Sequence, residues 1–325
     1  MLRRQFIGLL GGAAAWPVLA RAQQAPIPVV GLLRSTPAEP FADLVSAFRE
    51  GLRGEGFDEG RNVVIEQRWA DNHLDKLPAL AADLLRRRAA VIVGNQTSIE
   101  AARTASKTIP LVVVTGEDPV RAGLVASLSR PGGNVTGVTF FGGSQLDAKR
   151  MEILHELMPA AKVVAVLGDP GYAEFESRLP EVEAAARAFG WRLVVQRAVT
   201  ESEFEPAFKH FEQSGTDALL VSGSPLFTSL RQSLVALAAR YKMPAIYDVR
   251  NLVAAGGLIS YSSSLNGAYR QAAVYAGRIL KGEKPSDLPV LQATTFQLSI
   301  NLKTAKALGL TVPPALLARA DEVIE

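Results

Sequence analysis

The stretch AVIVGNQTSIEAARTASKTIPLVVVT, residues 90–115, contains the pattern that decides the fold class. A continuous apolar run at residues 90–93 is followed by an amphipathic segment at 99–106 and by a second apolar run at 111–115. Short β-branched runs that are apolar throughout are typical of strands buried on both faces of a sheet. The stretch therefore predicts two parallel strands joined by a helix.

The same alternation extends in both directions, from residue 28 to the C-terminal region. It predicts an α/β protein with two doubly wound parallel-sheet lobes of five strands each. A long helix at 268–280, a turn-rich segment at 281–289 and a further strand at 295–300 follow the second set. The predicted strands are residues 29–33, 63–68, 90–93, 111–115 and 135–140 in the first lobe, and 163–167, 192–196, 218–221, 245–247 and 258–261 in the second.

Three chain crossings between the lobes are predicted, near residues 141–144, 262–266 and 284–292. The first contains Gly142 and Gly143, which suit a hinge. Several crossings at one hinge are typical of lobes that close on a ligand. The predicted first lobe comprises residues 23–141 and 265–284, and the predicted second lobe comprises residues 142–264 and 285–325.

The first 22 residues have the layout of a secretory signal peptide. Arg3 and Arg4 precede a weakly apolar run at residues 6–20, and Ala20-Arg21-Ala22 ends it with small residues, so cleavage is expected after Ala22. The paired arginines resemble a twin-arginine signal, which exports folded proteins. The alternative, a buried N-terminal helix, is disfavoured by glycine and proline inside the run. We expect a periplasmic protein.

Charge and cysteine content exclude several classes of protein. The formal net charge is +3, but residues 1–22 hold three arginines and no acid, so the remaining chain has 32 basic and 32 acidic residues. A neutral chain gives no electrostatic reason to expect nucleic acid as a partner. The absence of cysteine excludes disulfides, thiol catalysis, cysteine-bound metals and a cysteine-linked lipid anchor.

Polar loops follow the predicted strands at the positions where open parallel sheets bind ligands. The loops after the first-lobe strands carry hydroxyl, amide and acidic side chains, and those of the second lobe carry acids, serines and a tyrosine. Aromatic side chains at the same rims could cover an apolar ligand. The predicted ligand-binding residues are Ser35, Thr36, Asn95, Thr97, Ser98, Glu117, Asp118, Phe141, Asp169, Tyr172, Ser222, Ser224, Asp248 and Tyr261.

Two readings stay open for these loops. Serine and threonine before a helix cap its first turn, and the same helix N-termini could also bind a carboxylate. The acids could pair with a ligand ammonium group, which would suit a zwitterion. Alternatively, Asp118 and Asp169, each followed by proline, only shape turns.

Signals for an enzyme are weak. The histidines His73, His155 and His210 show no metal-ligand spacing, and the chain contains neither a G-x-S-x-G nucleophile motif nor a P-loop. We therefore predict no catalytic residue, no metal and no cofactor.

Several segments spanning nearly the whole chain after residue 22 carry a family resemblance. They include SRPGGNVTGV at 129–138, AGGLISY at 255–261, and a C-terminal tail with INLKTAKALGL at 300–310 and ADEVIE at 320–325. With these, the chain resembles the ABC transporter substrate-binding proteins of the type I periplasmic-binding fold, in the branch that includes binders of tryptophan and other aromatic amino acids. Further matching segments are residues 94–100, 108–112, 118–120, 123–125, 279–282 and 285–290.

The resemblance implies a ligand cleft between the lobes, a partner ABC permease with its ATPase, and no chemistry on the ligand. It implies a small organic ligand, amino-acid-like or aromatic, and we expect a monomer. In relatives the loop after Tyr261 commonly reads Gly-x-Asp, whereas here it is Ser262-Ser263-Ser264, so no pocket acid is expected there.

Two other functions remain as alternatives. A ligand-sensing module of a periplasmic signalling receptor would bind its ligand in the same way, but its gene would lie beside a histidine kinase. An enzyme on the same α/β layout would show turnover without a transporter and a catalytic constellation in the cleft.

Overall fold

The computed structural model describes residues 26–140, 145–172 and 174–325, which form two α/β lobes. The predicted signal peptide, residues 1–22, lies outside the described residues. The strands are β1 (Val29–Arg34), β2 (Val64–Trp69), β3 (Val91–Asn95), β4 (Leu111–Thr115), β5 (Val135–Thr139), β6 (Val163–Gly168), β7 (Arg192–Arg197), β8 (Ala218–Val221), β9 (Ala245–Tyr247), β10 (Ile259–Ser262), β11 (Leu291–Gln292), β12 (Gln297–Asn301) and β13 (Glu322–Ile324).

Helices connect these strands and cover both faces of each sheet. Short 3₁₀ turns at Glu39–Phe41, Leu74–Lys76, Glu201–Glu203 and Pro285–Asp287 precede helices or strands. The α-helices are α1 (Ala42–Gly54), α2 (Leu77–Arg86), α3 (Gln96–Ala105), α4 (Gln145–Leu157), α5 (Glu174–Ala188), α6 (Phe204–Gln213), α7 (Pro225–Ser229), α8 (Arg231–Arg240), α9 (Arg250–Ala254), α10 (Leu265–Leu280), α11 (Leu302–Ala307) and α12 (Pro314–Arg319).

The strands form two separate sheets. The first has the order β11-β5-β4-β3-β1-β2, and the second has the order β13-β12-β10-β9-β8-β6-β7. All pairings are parallel except that of β10 with β12, which is antiparallel. In each sheet the first strand, β1 or β6, lies next to one edge and the second strand forms that edge. The later strands are then added one by one towards the opposite edge, as in doubly wound folds. The predicted fold class is confirmed.

Alternating side chains along the first-lobe strands explain why helices cover both faces. Val30, Val91 and Val112 face one core, which includes apolar residues of α1 and α10. Their neighbours Ile92 and Val113 face the other core, which includes apolar residues of α2 and α3. Because every position of β3 and β4 is buried, these strands have no polar face.

The second lobe repeats this arrangement with a different set of helices. One core lies between the sheet and helices α4, α5, α11 and α12. The other core contains apolar residues of α6, α7, α8 and α9, among them the fully buried rings of Phe204 and Phe208. Each lobe therefore has its own hydrophobic interior, which leaves the ends of the strands free to carry polar loops.

The third chain crossing lies further along the chain than the sequence predicts. The predicted second lobe includes residues 285–325, but β11 pairs with β5 of the first sheet, with Leu291 opposite Val138. Leu288 is fully buried in a first-lobe core, and its carbonyl oxygen accepts a hydrogen bond from Thr136 Oγ1 (2.6 Å). Residues 285–292 therefore belong to the first lobe, and the chain crosses between Gln292 and the start of β12.

The other two crossings differ in how far the structure describes them. The segment 141–144 lies outside the described residues. The second crossing joins β10 of the second sheet to α10, which packs against α1 and β3–β5 of the first lobe. Gly51 of α1 permits this close packing, since a Cβ atom there would lie 2.2 Å from the Arg270 carbonyl oxygen. Within the described ranges, no helix is long and apolar enough to cross a membrane.

Candidate ligand-binding site

A crevice between the lobes collects the carboxyl ends of strands from both sheets. The first lobe contributes residues at or after the ends of β1, β3, β4 and β5, and the second contributes residues after β6, β8 and β9. The space between the walls amounts to about 770 Å³, part of which is open to solvent. This is where open parallel sheets bind small molecules.

Arg34, the last residue of β1, places a buried cation in the first-lobe wall. The residue is only 4% exposed. Its Nη1 donates a hydrogen bond to the hydroxyl of Tyr269 and its Nε donates to Thr36 Oγ1 (3.3 Å). The guanidinium carbon lies 4.2 Å from the ring centre of Phe41 and 5.2 Å from that of Tyr269. Burial lowers the pKa of Arg34 to about 9, so the group remains a cation at neutral pH.

Asp248, directly after β9, places an acid in the second-lobe wall. The residue is half-buried, but its Oδ1 is shut off from solvent and has no hydrogen-bond partner among the described residues. Burial raises the pKa of this carboxyl to about 6, although the positive charges of Arg150 and Arg178 lower it. Gly223 leaves room for the carboxylate, since a Cβ atom there would lie 2.7 Å from Asp248 Oδ2.

Arg150 and Arg178 line the crevice and share one acid, Asp147, which lies in the small pocket next to it. Arg150 Nη1 donates to Asp147 Oδ1 (2.6 Å), and Arg178 Nη2 lies 2.5 Å from Asp147 Oδ2. Arg150 also donates from Nε to the Tyr261 carbonyl (2.9 Å) and from Nη2 to the Asp248 carbonyl (3.3 Å). These bonds fix the backbone on which Asp248 is mounted.

A polar chain behind the first-lobe wall uses Glu117 internally. Thr115 Oγ1 donates to Gln96 Oε1 (2.7 Å), and Gln96 Nε2 donates to Glu117 Oε2 (2.5 Å). Glu117 is 2% exposed and does not line the crevice, whereas Gln96 does. The structure therefore corrects the prediction of Glu117 as a ligand contact, because the amide of Gln96 stands in front of the carboxylate.

Asn95 organises the hydroxyl groups that the sequence assigns to anion binding. Its Oδ1 accepts from the Ser35 backbone N–H (3.1 Å) and from Ser98 Oγ (2.7 Å), and its Nδ2 donates to Ser35 Oγ (2.8 Å) and Thr97 Oγ1 (3.0 Å). Ser98 is fully buried, and Thr36 is buried beside Arg34. The prediction that Ser98 and Thr36 contact the ligand is corrected, since both hydroxyls are used within the first lobe.

Both aspartates of the Asp-Pro turns accept hydrogen bonds from backbone N–H groups of their own turns. Asp118 Oδ1 accepts from the Val120 backbone N–H (2.9 Å), and Asp118 does not line the crevice. Asp169 Oδ1 accepts from the Gly171 backbone N–H (2.8 Å), and its Oδ2 accepts from Ser224 Oγ (2.5 Å). Ser224 also caps α7 by accepting from the Leu226 backbone N–H. Asp169 thus orients Ser224, which does line the crevice.

The remaining predicted residues are dispersed. Ser222 lies behind the crevice in a small pocket beside Tyr172, and its buried Oγ has no partner among the described residues. Tyr261 packs against Phe296 in an apolar groove outside the crevice, with ring centres 5.9 Å apart, which corrects its prediction as a ligand contact. Phe141 lies outside the described residues.

The structure thus brings only part of the predicted set together. A side pocket next to the crevice contains three further members, and Tyr172 borders both spaces. The predicted residues that line the crevice are Asn95, Tyr172, Ser224 and Asp248, and those of the side pocket are Ser35, Thr97 and Asp169.

Aromatic rings from both lobes form much of the crevice wall. The first lobe contributes Phe41, Phe140 and Tyr269, and the second contributes Tyr172. Burial raises the pKa of Tyr172 far above its ordinary value, so its hydroxyl stays neutral. Sequence reasoning missed Arg34, Phe41, Gln96, Phe140, Arg150, Arg178 and Tyr269.

One of the missed residues had a usable signal in the sequence. Arg34 ends a strand that is otherwise apolar and is placed where ligands bind, so a charge at that position indicates a site. Arg150, Arg178 and Tyr269 are carried by helices, and only the tertiary packing brings them to the crevice.

Direct hydrogen bonds join the lobes beside the crevice. Ser229 Oγ donates to Asn72 Oδ1 (3.3 Å), and Arg231 Nη1 donates to the carbonyl of Pro40 (3.0 Å). Asn72 and its neighbour Asp71 have φ angles of 63° and 52°, a left-handed conformation that asparagine and aspartate tolerate better than most residues. The lobes are therefore in contact around the crevice. Two α/β lobes closed around a polar and aromatic crevice define a bilobal solute-binding protein.

Comparison with known proteins assigns the chain to one such family. The family described as "ABC transporter substrate binding protein" matches residues 37–324, so the chain belongs to the ABC transporter substrate-binding proteins. These proteins bind small-molecule ligands outside the cytoplasm and work with an ABC permease; the family is one of binding proteins, not of enzymes. The resemblance found in the sequence is confirmed.

Three similar proteins illustrate the relationship. The "Tyrosine-binding protein" of Clostridioides difficile (strain R20291) is 27% identical over 270 residues, which cover 81% of this chain and 75% of that protein. A conserved domain protein from Vibrio cholerae matches with a TM-score of 0.84 and 26% identity, over 91% of this chain and 99% of the other. An ABC domain from Streptococcus pneumonia, solved with L-Trp, matches with a TM-score of 0.83 and 24% identity over the same shares.

No group of three or more histidine, cysteine, aspartate or glutamate side chains in the described part of the chain could hold a metal ion.

Proposed function

We propose that the mature chain, residues 23–325, is a monomeric periplasmic protein that captures an aromatic, amino-acid-like molecule and delivers it unchanged to an ABC permease and its ATPase. Export by the twin-arginine route, suggested by Arg3 and Arg4, is part of this proposal. The observation that carries the ligand class is the aromatic wall of the crevice, to which both lobes contribute.

The wall suits a flat apolar ligand with a polar end. Phe41, Phe140 and Tyr269 of the first lobe and Tyr172 of the second surround the space. Aromatic pairs contribute about 0.5–1.5 kcal/mol beyond the burial of their surface. Asn95, Gln96 and Ser224 supply hydrogen-bonding groups at the same crevice. The names of two similar proteins, one a tyrosine-binding protein and one solved with L-Trp, support the same ligand class.

Capture by closure follows from the placement of these groups on both lobes. A ligand that touches both walls contacts more of the protein in the closed state than in the open state. It therefore shifts the equilibrium towards closure by its differential binding free energy. The closed form is the one that a permease can distinguish from the ligand-free protein.

The experiment is isothermal titration calorimetry of the mature protein with L-Trp, L-Tyr and L-Phe, beside L-Leu, L-Glu and a hexose. We expect the aromatic amino acids to bind most tightly. Phe140→Leu should weaken this binding about 3- to 10-fold, because it removes one ring from the wall. Phe296→Leu, which changes a ring of the groove outside the crevice, is the matched control and should bind like the wild type. Stronger binding of leucine, glutamate or the hexose would overturn the proposed ligand class.

A further inference from the structure

We propose that Arg34 and Asp248 form a zwitterion site divided between the lobes, in which Arg34 binds the ligand's carboxylate and Asp248 binds its ammonium group. This inference rests on the proposed capture of an amino-acid-like ligand and assigns its two charged ends to named residues. Both side chains line the same crevice, Arg34 from the end of β1 and Asp248 from the end of β9.

Arg34 has the properties of an anion-binding residue. Its Nε and Nη1 are held by Thr36 and Tyr269, while its Nη2 makes no hydrogen bond to a described residue. No carboxylate of the described chain forms an ion pair with it, and burial is the sole cause of its lowered pKa. A buried guanidinium without a counter-charge is unfavourable, and a ligand carboxylate would both neutralise it and accept its free N–H groups.

Two aromatic side chains give this guanidinium a fixed orientation. The guanidinium group lies over the ring of Phe41 and near the ring of Tyr269, and it donates a hydrogen bond to the Tyr269 hydroxyl. A planar cation stacked in this way presents its remaining donors in one direction, which is the arrangement that favours a planar carboxylate. Arg34 is thus preorganised for an anion and is not a flexible surface charge.

Asp248 supplies the opposite charge on the second lobe. Its Oδ1 is buried and has no hydrogen-bond partner in the part of the chain that the structure describes. The protein therefore leaves this acid only partly satisfied, and its other oxygen, Oδ2, lies beside Gly223 in the crevice wall, where a ligand ammonium group can donate to it. The other acids near the crevice are satisfied by protein groups: Asp147 by two arginines and Glu117 by Gln96.

Because Arg34 and Asp248 lie on different lobes, a ligand can contact both charges only when the lobes are closed. A ligand with only a carboxylate meets its counter-charge on the first lobe, and a ligand with only an ammonium group meets it on the second. A zwitterion meets both and therefore favours the closed state more than either half-ligand. The site then selects amino acids over amines and over simple acids.

The test combines three ligands with substitutions at both residues. The ligands are the tightest-binding aromatic amino acid, the corresponding amine without the carboxylate, and the corresponding acid without the amino group. Arg34→Gln and Asp248→Asn remove the charges with little change of size. The matched controls are Arg270→Gln, beside Tyr269 on the exposed face of α10, and Glu212→Gln on the exposed face of α6. Thermal unfolding without ligand verifies that each variant folds, and Arg34→Lys, which keeps the charge, separates electrostatics from packing.

We expect Arg34→Gln to weaken the binding of the amino acid and of the acid at least about 30-fold, which is the usual effect of losing one member of a buried charge pair. The affinity for the amine should not change. Asp248→Asn should weaken the binding of the amino acid and of the amine and leave the affinity for the acid unchanged. The controls should match the wild type, and Arg34→Lys should bind the acid more tightly than Arg34→Gln. Equal losses for all three ligands, or no loss, would overturn this inference while the aromatic ligand class stands. If none of the three ligands binds the wild type, the proposed function fails and this inference with it.

Discussion

Asp248 is the residue whose charge in the crevice depends on conditions. Burial raises its pKa from an ordinary value of about 3.8 to about 6. The folded carboxyl therefore holds its proton more tightly than the unfolded one. Its contribution to folding stability is fully present below about pH 4 and is lost as the pH rises through about 6. Above that pH, the protein holds a desolvated carboxylate that a ligand cation can neutralise.

The pH dependence of ligand binding follows from this pKa. Below about pH 6 the carboxyl is neutral and must lose its proton before it can pair with an ammonium group, so affinity should fall about tenfold per pH unit. The charged groups that face it are Arg150 and Asp147 of α4 and Arg178 of α5. Calorimetry with an aromatic amino acid between about pH 5 and about pH 8 measures the slope.

Two comparisons isolate Asp248 in that experiment. Asp248→Asn should bind the amino acid weakly at every pH and show no such slope. The matching acid without an amino group should bind the wild type with little change between about pH 6 and about pH 8. A slope of the same size in Asp248→Asn would assign the titration to another group.

At the level of elements, Arg150 connects three parts of the second lobe. Its guanidinium bonds to Asp147 within α4, to the carbonyl of Tyr261 in β10, and to the carbonyl of Asp248 after β9. Its position also matters for the hinge, because β10 leads directly into the crossing to α10. One buried side chain therefore sets the relation between a helix, the hinge strand and the acid of the crevice.

Arg150→Met should lower the free energy of unfolding by about 3–5 kcal/mol, since it removes one of the two cations that pair with Asp147 and the charged donor of two carbonyl groups. Arg150→Lys should restore only part of this, because one ammonium group cannot reach acceptors on three elements. Chemical denaturation followed by circular dichroism gives the values. Lys149→Met, at the exposed neighbouring position, is the control and should change stability little. A fully stable Arg150→Lys would show that the charge alone suffices.

Most of the fold was predictable because buried apolar strands can be recognised from a few consecutive residues. The ten predicted strands of the two lobes all occur, since runs such as residues 111–115 are buried on both faces and have no alternative use. The strands β11 and β13 were missed because they contain only two and three residues, and their pairings with β5 and β12 are tertiary contacts. The same difference explains the lobe boundary at residue 285, which the sequence placed too early.

The site was less predictable than the sheets. Strand ends correctly located Asn95, Tyr172, Ser224 and Asp248 at the crevice. Polarity alone, however, did not separate hydroxyls that face the crevice from those used inside a loop, as Ser98 shows. That distinction depends on which hydrogen bonds the folded loop makes. Residues brought in by helices, such as Tyr269 of α10, carry no positional signal at all.

At the scale of the whole molecule, contact between the lobes is linked to the crevice. Arg231 at the start of α8 donates to the carbonyl of Pro40, whose neighbour Phe41 packs its ring against Arg34. The second lobe therefore docks on the same 3₁₀ turn that shapes the cation of the first lobe. Arg231 does not line the crevice, so its bond reports closure and not ligand contact.

Arg231→Ala should shift the ligand-free protein towards the open state and weaken ligand binding about 2- to 10-fold, the effect of one hydrogen bond worth about 0.5–1.5 kcal/mol. The weakening should appear mainly as faster dissociation, because the missing bond belongs to the closed state. Small-angle X-ray scattering with and without ligand gives the radius of gyration, and stopped-flow fluorescence gives the rates. Arg240→Ala, on the same helix but paired with Glu205 of its own lobe, is the control and should leave both unchanged. If Arg231→Ala closes and binds like the wild type, the lobes are held by the ligand and hinge alone, and the Arg231–Pro40 bond contributes nothing to capture.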